Sequence, residues 1–267
     1  VSLPPSERER ARSVALEAAH AAGKVLAATL GRLDPARIGT KSAARDLVTE
    51  ADVASERVLV EALRRAFPGH AIEAEEEVRD AADDRPRWFL DPLDGTVNFV
   101  HRLPFFAVSM GLLVEGVPEV AVVHAPALGE TFHAVRGGGA FLGQERLAVR
   151  PTRTLGEAIL ATGFPYRRAE LRPNNLENFS ALFLECRDLR RLGSAALDLA
   201  YVAAGRLDAY WELWLAPHDV AGGALLVREA GGLVTDLEGG EDWLRGGHIL
   251  AGGAALHGLL RPRLVHG

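Results

Sequence analysis

Hydrophobic and polar positions along this chain follow two periods, and the period changes with position. Over residues 6–30, Val14, Ala18, Ala21, Ala22 and Val25 recur at helical spacing, with Gly31 placed to end the run. A second helical pattern covers Thr49 to Phe67, with Val53, Val58, Leu59, Leu63 and Phe67 on its apolar side. The "FPG" at 67–69 stops it, since proline cannot continue a helix and glycine permits the turn. "RWFLD" then reads as a buried strand. Between 104 and 149 the runs "FFAVSMGLLV", "EVAVVHAP", "ETFHAVRG" and "GAFLG" are short, apolar or alternating, and separated by glycine-bearing turns, which predicts an antiparallel meander.

From about Thr152 strand-like and helix-like pieces alternate. They are "AILATGF", a polar helix around Asn175 to Arg187, "DLRRLG", the helix "SAALDLAYVAAG", "LDAYWEL", the helix "DVAGGALLVREAG" and "GLVTDL". A soft boundary near 150 therefore divides an N-terminal α+β domain, 1–150, from a C-terminal α/β domain, 151–267. The fold class is mixed α/β and α+β.

Composition narrows the function. The 267 residues are 48% hydrophobic and 25% charged, enough for one large core or two smaller ones. A net charge of -6 without a long basic block gives little support to nucleic-acid binding. The lone Cys186 excludes an internal disulfide and a multi-cysteine zinc site, and favours a cytoplasmic setting. The charged start "VSLPPSERERARS" does not read as a secretory signal, and no apolar run is long enough to predict a membrane span.

The candidate chemistry starts at "WFLDPLDGTVNF", residues 88–99, where a buried strand delivers Asp91 and Asp94 to the rim of a core. Asp94 can cap a helix starting near Val97, or both carboxylates with an intervening carbonyl can hold Mg²⁺. In the second case the Gly95 and Thr96 amides would face an anion. "EAEEE" adds Glu73, Glu75, Glu76 and Glu77, readable as a solvated turn or as further ligands. Asp219 heads an amphipathic helix, where capping explains it nearly as well as metal binding.

Three blocks together resemble the inositol monophosphatase family of magnesium-dependent, lithium-sensitive sugar phosphatases. They are "KSAARDLVTEAD" (41–52), "AEEEV" with "WFLDPLDGTVNFVHRLPF", and "GRLDAYWELWLAPHDVAGGALLVREAGG"; the similarity extends over roughly 10–255 and includes "RRLGSAALDLAYVAAGR". The resemblance implies a layered αβαβα fold, a homodimer, and two or three Mg²⁺ ions. It implies Glu75, Asp91, the Leu93 carbonyl and Asp94 around the first metals, with Asp94 and Asp219 holding the metal nearer the leaving oxygen. Thr96, Asp46 and Glu75 would orient or polarise the attacking water, with Glu76 supporting them as an acid behind the ligands. The Gly95 and Thr96 amides would meet phosphate, and Asp94, Gly193, Ser194, Ala195 and Glu212 the substrate. His218 stands where the family has an aromatic, and Glu77 where it has a serine.

The reaction implied is hydrolysis of myo-inositol 1-phosphate or a similar polyol monophosphate. Histidinol phosphate, fructose 1,6-bisphosphate, nucleotide 3'-phosphates and NADP are alternative substrates within the family, and a regulatory protein-binding module that keeps the metal site is an alternative of another class. Other residues read as structural. His101, His124 and His133 lack zinc spacing, and Ser109 and Met110 belong to a strand. Tyr210, Trp211 and Trp214 cover a core edge or a subunit contact, Arg190 and Arg191 sit at a surface or meet an anionic substrate, and Gly137–Gly139 form a hairpin turn rather than a phosphate loop.

Overall fold

A computed structural model describes residues 2–34, 36 and 38–265 of the protein. Helix α1 (Pro5–Thr29) opens with proline, whose missing N–H has no helical partner to lose. It buries Ala11, Ala15, Ala18, Ala19, Ala22, Gly23 and Leu26; Val14 and Val25 sit at the edge of that face, while Ala21 is exposed. The apolar stripe is thus rotated from the predicted one, because close approach selects small residues over branched ones. A Cβ on Gly23 would come within 2.5 Å of His124 Nε2.

A small hairpin, β1 (Gly39–Thr40) and β2 (Leu47–Val48), leads to α2 (Glu50–Ala66). Thr49 and Asp52 cap α2 reciprocally: the Thr49 hydroxyl accepts from Ala51 N–H, and Asp52 Oδ2 accepts from Thr49 N–H at 2.8 Å. Strands β3 (Ala71–Ala74) and β4 (Arg87–Asp94), the short helix α3 (Thr96–Val100), and strands β5 (Ala107–Val114), β6 (Val117–Ala125), β7 (Glu130–Val135), β8 (Gly139–Leu142) and β9 (Glu145–Arg146) follow. They form a seven-stranded sheet in sequential order, antiparallel except for the parallel pair β3–β4. The predicted meander is its greater part. Gly137 and Gly139, with φ of 75° and 93°, make the β7–β8 turn.

The remainder builds β10 (Ile159–Thr162), α4 (Leu176–Phe183), β11 (Asp188–Arg190), α5 (Ala195–Ala203), β12 (Ala209–Leu213), α6 (Pro217–Glu229), β13 (Leu233–Thr235), β14 (His248–Gly252) and α7 (Ala254–Leu260). Its five strands run in the order β11-β10-β12-β14-β13.

Strand periodicity stacks these elements. In β6, Val120 and Val122 join the core against α1 and α2, while Ala121 and Val123 join the core against α5 and α6. In β12, Tyr210 faces α5 and α6, whereas Ala209, Trp211 and Leu213 face a third core shared with α4 and α7. The result is five layers: α1/α2, the large sheet, α5/α6, the small sheet, and α4/α7. This is the expected αβαβα arrangement. The middle core draws residues from both sides of position 150.

Candidate active site

The acid pair is aimed by a bulge. Asp91 pairs with Ser109 and Asp94 with Ala107, so three steps along β4 match two along β5. Residues three apart on a regular strand point to opposite faces; one extra residue re-aims them. Pro92, which has no N–H to give a ladder, lies in this bulge, and its carbonyl accepts from Ser55 Oγ at 2.8 Å. Gly95 then turns the chain with φ of 93°, and a Cβ there would lie 2.8 Å from the Phe105 carbonyl oxygen. Asp94 does not cap α3. Its Oδ2 accepts from Ser194 Oγ and Ala196 N–H, both at 2.7 Å, at the start of α5.

Beside this turn lies a cavity of ≈ 410 Å³ whose wall includes Asp46, Glu75, Asp94, Gly193, Ser194, Ala195, Glu212 and Asp219. Asp91, Leu93, Gly95, Thr96 and Glu76 are not part of that wall. Asp91 is nonetheless electrostatically joined to it. Burial raises its carboxyl well above the usual range, and the charges of Glu75, Asp94 and Asp219 add to this. Burial likewise pushes Asp94 and Asp219 up to about 7, helped by Asp219 in the first case and Glu75 in the second. Asp219 is the third residue of α6, and its Oδ2 accepts from Ala216 N–H at 2.6 Å, so it caps the helix while lining the cavity.

Lys41 is the balancing cation. Its Nζ lies 2.7 Å from Glu75 and 2.5 Å from Glu76. Burial works to raise Glu75, but nearby positive charge and hydrogen bonds hold it below the usual range. The positive charges that act on Glu75 are those of His218 and Lys41, and burial lowers His218 itself. Burial wins at Glu76, which is pushed up to about 7 despite its Lys41 bond. Glu56 organises the turn that presents these acids, accepting from the N–H groups of Glu76, Glu77 and Val78 at 2.7–2.9 Å. Glu77 itself faces outward to Arg57, and Glu73 pairs with Arg245.

Thr96 contacts Asp52, an aspartate not singled out by sequence. Its hydroxyl lies 3.0 Å from Asp52 Oδ1 and 3.1 Å from the Leu93 carbonyl oxygen, either of which can accept its hydrogen bond. Asp52 is fully buried, and burial raises its carboxyl. Asp46 lines the cavity, but its Oδ2 is held by Ser42 Oγ at 2.6 Å. The capping-box pattern Thr49-x-x-Asp52 would have located Asp52, though only as a helix start.

At the far wall Glu212 is pushed up to about 7 by burial, against the lowering effect of a hydrogen bond from the Tyr210 hydroxyl. A Cβ on Gly163 would run into that carboxylate. Arg191 lines the cavity, whereas Arg190 pairs with Asp188. His124 and His133 are buried in the large sheet, bonded to Thr131 and the Gly143 carbonyl.

Among the described residues no three His, Cys, Asp or Glu side chains already form a metal-holding group. The carboxylates of Asp91, Asp94 and Asp219 instead crowd one another and Glu75, and those of Asp94 and Asp219 are pushed up to about 7. An all-oxygen set of this kind suits a hard cation such as Mg²⁺ rather than a thiolate-seeking metal, and such a cation relieves the crowding.

A sequence model of the inositol monophosphatase family matches residues 7–266. Curated relatives called Nus factor SuhB include one from Pasteurella multocida, 45% identical over 240 residues and 90% of each chain, and one from Pseudomonas aeruginosa, 46% identical over 247 residues and 90% of each. Among solved structures, the inositol monophosphatase from Anabaena superposes with a TM-score of 0.87 at 41% identity, covering 96% of this chain and 95% of that one. Sequence pattern, layered fold and converged carboxylates agree with these similarities, and the chain belongs to the inositol monophosphatase family.

Proposed function

We propose that the protein is a Mg²⁺-dependent phosphoric monoester hydrolase that takes myo-inositol 1-phosphate or a similar polyol phosphate. The observation that carries this reading is the convergence of Glu75, Asp91, Asp94 and Asp219, whose mutual repulsion is resolved by bound cations. Glu75, Asp91, the Leu93 carbonyl, Asp94 and Asp219 would hold Mg²⁺. Bound there, Mg²⁺ supplies charge neutralisation for the phosphoryl group and acidifies water.

The chain's own residues do the rest. The Thr96 hydroxyl and Asp52 form a short path by which a proton can leave the attacking water, and burial makes Asp52 a better base than a free aspartate. The water oxygen bonds to phosphorus, the bond to the polyol oxygen breaks, and the polyol leaves with a proton. Gly95 and Thr96 amides would receive phosphate oxygens, and Glu75 and Asp46 would help order water. Glu76 backs Glu75 through their shared contact with Lys41. Gly193, Ser194, Ala195, Asp94 and Glu212 would meet the polyol.

Steady-state phosphate release tests the substrate. With Mg²⁺ at pH 7.5, kcat/KM is compared for inositol 1-phosphate, histidinol phosphate, fructose 1,6-bisphosphate, a nucleotide 3'-phosphate and NADP. Highest activity on another ester would replace the substrate but not the chemistry. Lithium inhibition and a cytoplasmic location belong to the same reading. So does a homodimer, supported by the exposed Leu176, Phe183 and Leu184 on and just after α4 and checked by sedimentation equilibrium. Among the described residues no helix is long and apolar enough to cross a membrane. A second reading, attachment to transcription machinery, is favoured by the Nus factor names of the relatives. It predicts that an Asp94→Asn chain without phosphatase activity still binds a transcription complex.

A further inference from the structure

Asp198 lies in the first turn of α5 and is only 1% exposed, yet it lines the cavity. Among the described residues its Oδ1 has no hydrogen-bond partner. Helix capping does not account for it. The Asp198 N–H donates to the Ser194 carbonyl at 2.9 Å inside the helix, while the amide that needs a side-chain acceptor, Leu197 N–H, is served by Ser194 Oγ. A buried acceptor left unpartnered at a cavity wall costs stability that a ligand's donor can restore.

The surroundings point to a ligand. Glu212, Asp94 and Arg191 are the charged groups that act on Asp198, and all three line the same cavity. The neighbouring Glu212 already takes a hydroxyl, that of Tyr210. We propose that Asp198 is a hydroxyl-binding group of the substrate pocket, forming with Glu212 a two-carboxyl reader of adjacent hydroxyls on the polyol. The substrate class that follows is a phosphate ester with a vicinal diol, not a simple alkyl or aryl phosphate. This rests on the polyol phosphatase reading above and adds a residue to it.

The test is kcat and KM for the wild type, Asp198→Asn and Asp198→Leu at saturating Mg²⁺. Two substrates are compared: inositol 1-phosphate and 4-nitrophenyl phosphate, which has no hydroxyl to offer. Asp198→Leu is expected to raise KM for inositol 1-phosphate by roughly tenfold or more while leaving 4-nitrophenyl phosphate within about twofold. Asp198→Asn, which can still hydrogen-bond, recovers most of the loss. A parallel fall on both substrates, or an unchanged KM for inositol 1-phosphate, overturns the proposal. Should Asp198→Leu fail to fold, Asp198→Ala carries the same comparison. The wild-type preference between the two substrates tests the polyol reading by itself: an enzyme that turns over only 4-nitrophenyl phosphate refutes that reading, whereas a strong wild-type preference untouched in the variants refutes the role of Asp198 alone.

Discussion

Replacing Thr96 by valine removes one hydroxyl and little shape. In the folded protein that hydroxyl is the group beside Asp52 Oδ1, while Asp52 Oδ2 keeps its bonds from Thr49 N–H at 2.8 Å and Thr49 Oγ1 at 2.6 Å. The carboxyl therefore loses one of three donors, and stability should fall by about 1–3 kcal/mol. A displaced proton-transfer group typically costs about 10²–10⁴ in rate, or roughly 2.7–5.4 kcal/mol in the barrier. The rate effect thus exceeds the stability effect, and it should appear in kcat at temperatures where the variant is folded. Asp52→Asn should match it, and the double variant should be no slower than the worse single one, because both changes interrupt one path. Asp46→Asn should lower kcat by less than Thr96→Val does, since its carboxylate is engaged by Ser42 and not by Thr96. Phosphate release with melting curves for all four variants decides the matter. A large loss in Asp46→Asn with near-normal Thr96→Val, or additive losses in the double variant, would refute the Thr96–Asp52 path.

Three further outcomes follow from the geometry. Asp94 and Asp219, with carboxyls raised to about 7, bind protons in the metal-free fold that the unfolded chain releases above about pH 4, so their contribution to stability declines as pH rises from 4 through 7. The metal-free melting temperature should therefore fall over that interval, and the Mg²⁺-induced rise should be larger at pH 8 than at pH 5.5, as differential scanning fluorimetry would reveal; equal rises at both pH values would count against a carboxylate cation site. Gly95→Ala forces a side chain into a left-handed backbone and toward the Phe105 carbonyl, and should cost at least about 1–2 kcal/mol in urea unfolding. Gly163→Ala drives a methyl group into the Glu212 carboxylate and should raise KM for a polyol phosphate more than for 4-nitrophenyl phosphate; equal changes would separate Glu212 from polyol binding.

Much of this architecture was legible because the hydrophobic periods were clean. The meander, the two long helices and the helix carrying Asp219 all appear where period 2 or period 3.6 runs unbroken. The β1–β2 hairpin, β3, β14 and α7 were not drawn from the pattern. They are short, and "HILAGG" and "AALHGLL" give too few positions to separate a strand from a buried helix turn. The predicted helix around Asn175 to Arg187 is shorter, Leu176–Phe183, and residues 184–187 form a turn that leads into β11. The acids at 75, 94 and 219 were named by sequence and converge at one cavity. Asp52, Glu56 and Asp198 were missed for a shared reason: each sits within a helix where an acid ordinarily faces water, and only the packing of α2 and α5 shows that these three face inward. The step from Asp91 to Asp94 could not be read as one site from spacing alone, since it depends on the bulge at Pro92.

The central claim is that the converged carboxylates hold a hard cation and that phosphate-ester hydrolysis depends on it. The most direct measurement is phosphate release from inositol 1-phosphate by one preparation of the protein, first in EDTA and then with excess Mg²⁺, alongside Asp219→Asn under both conditions. No turnover is expected in EDTA, recovery is expected with Mg²⁺, and the Asp219→Asn chain should be folded but fail to recover. Turnover unaffected by EDTA, or an Asp219→Asn chain as active as the wild type, would contradict that claim.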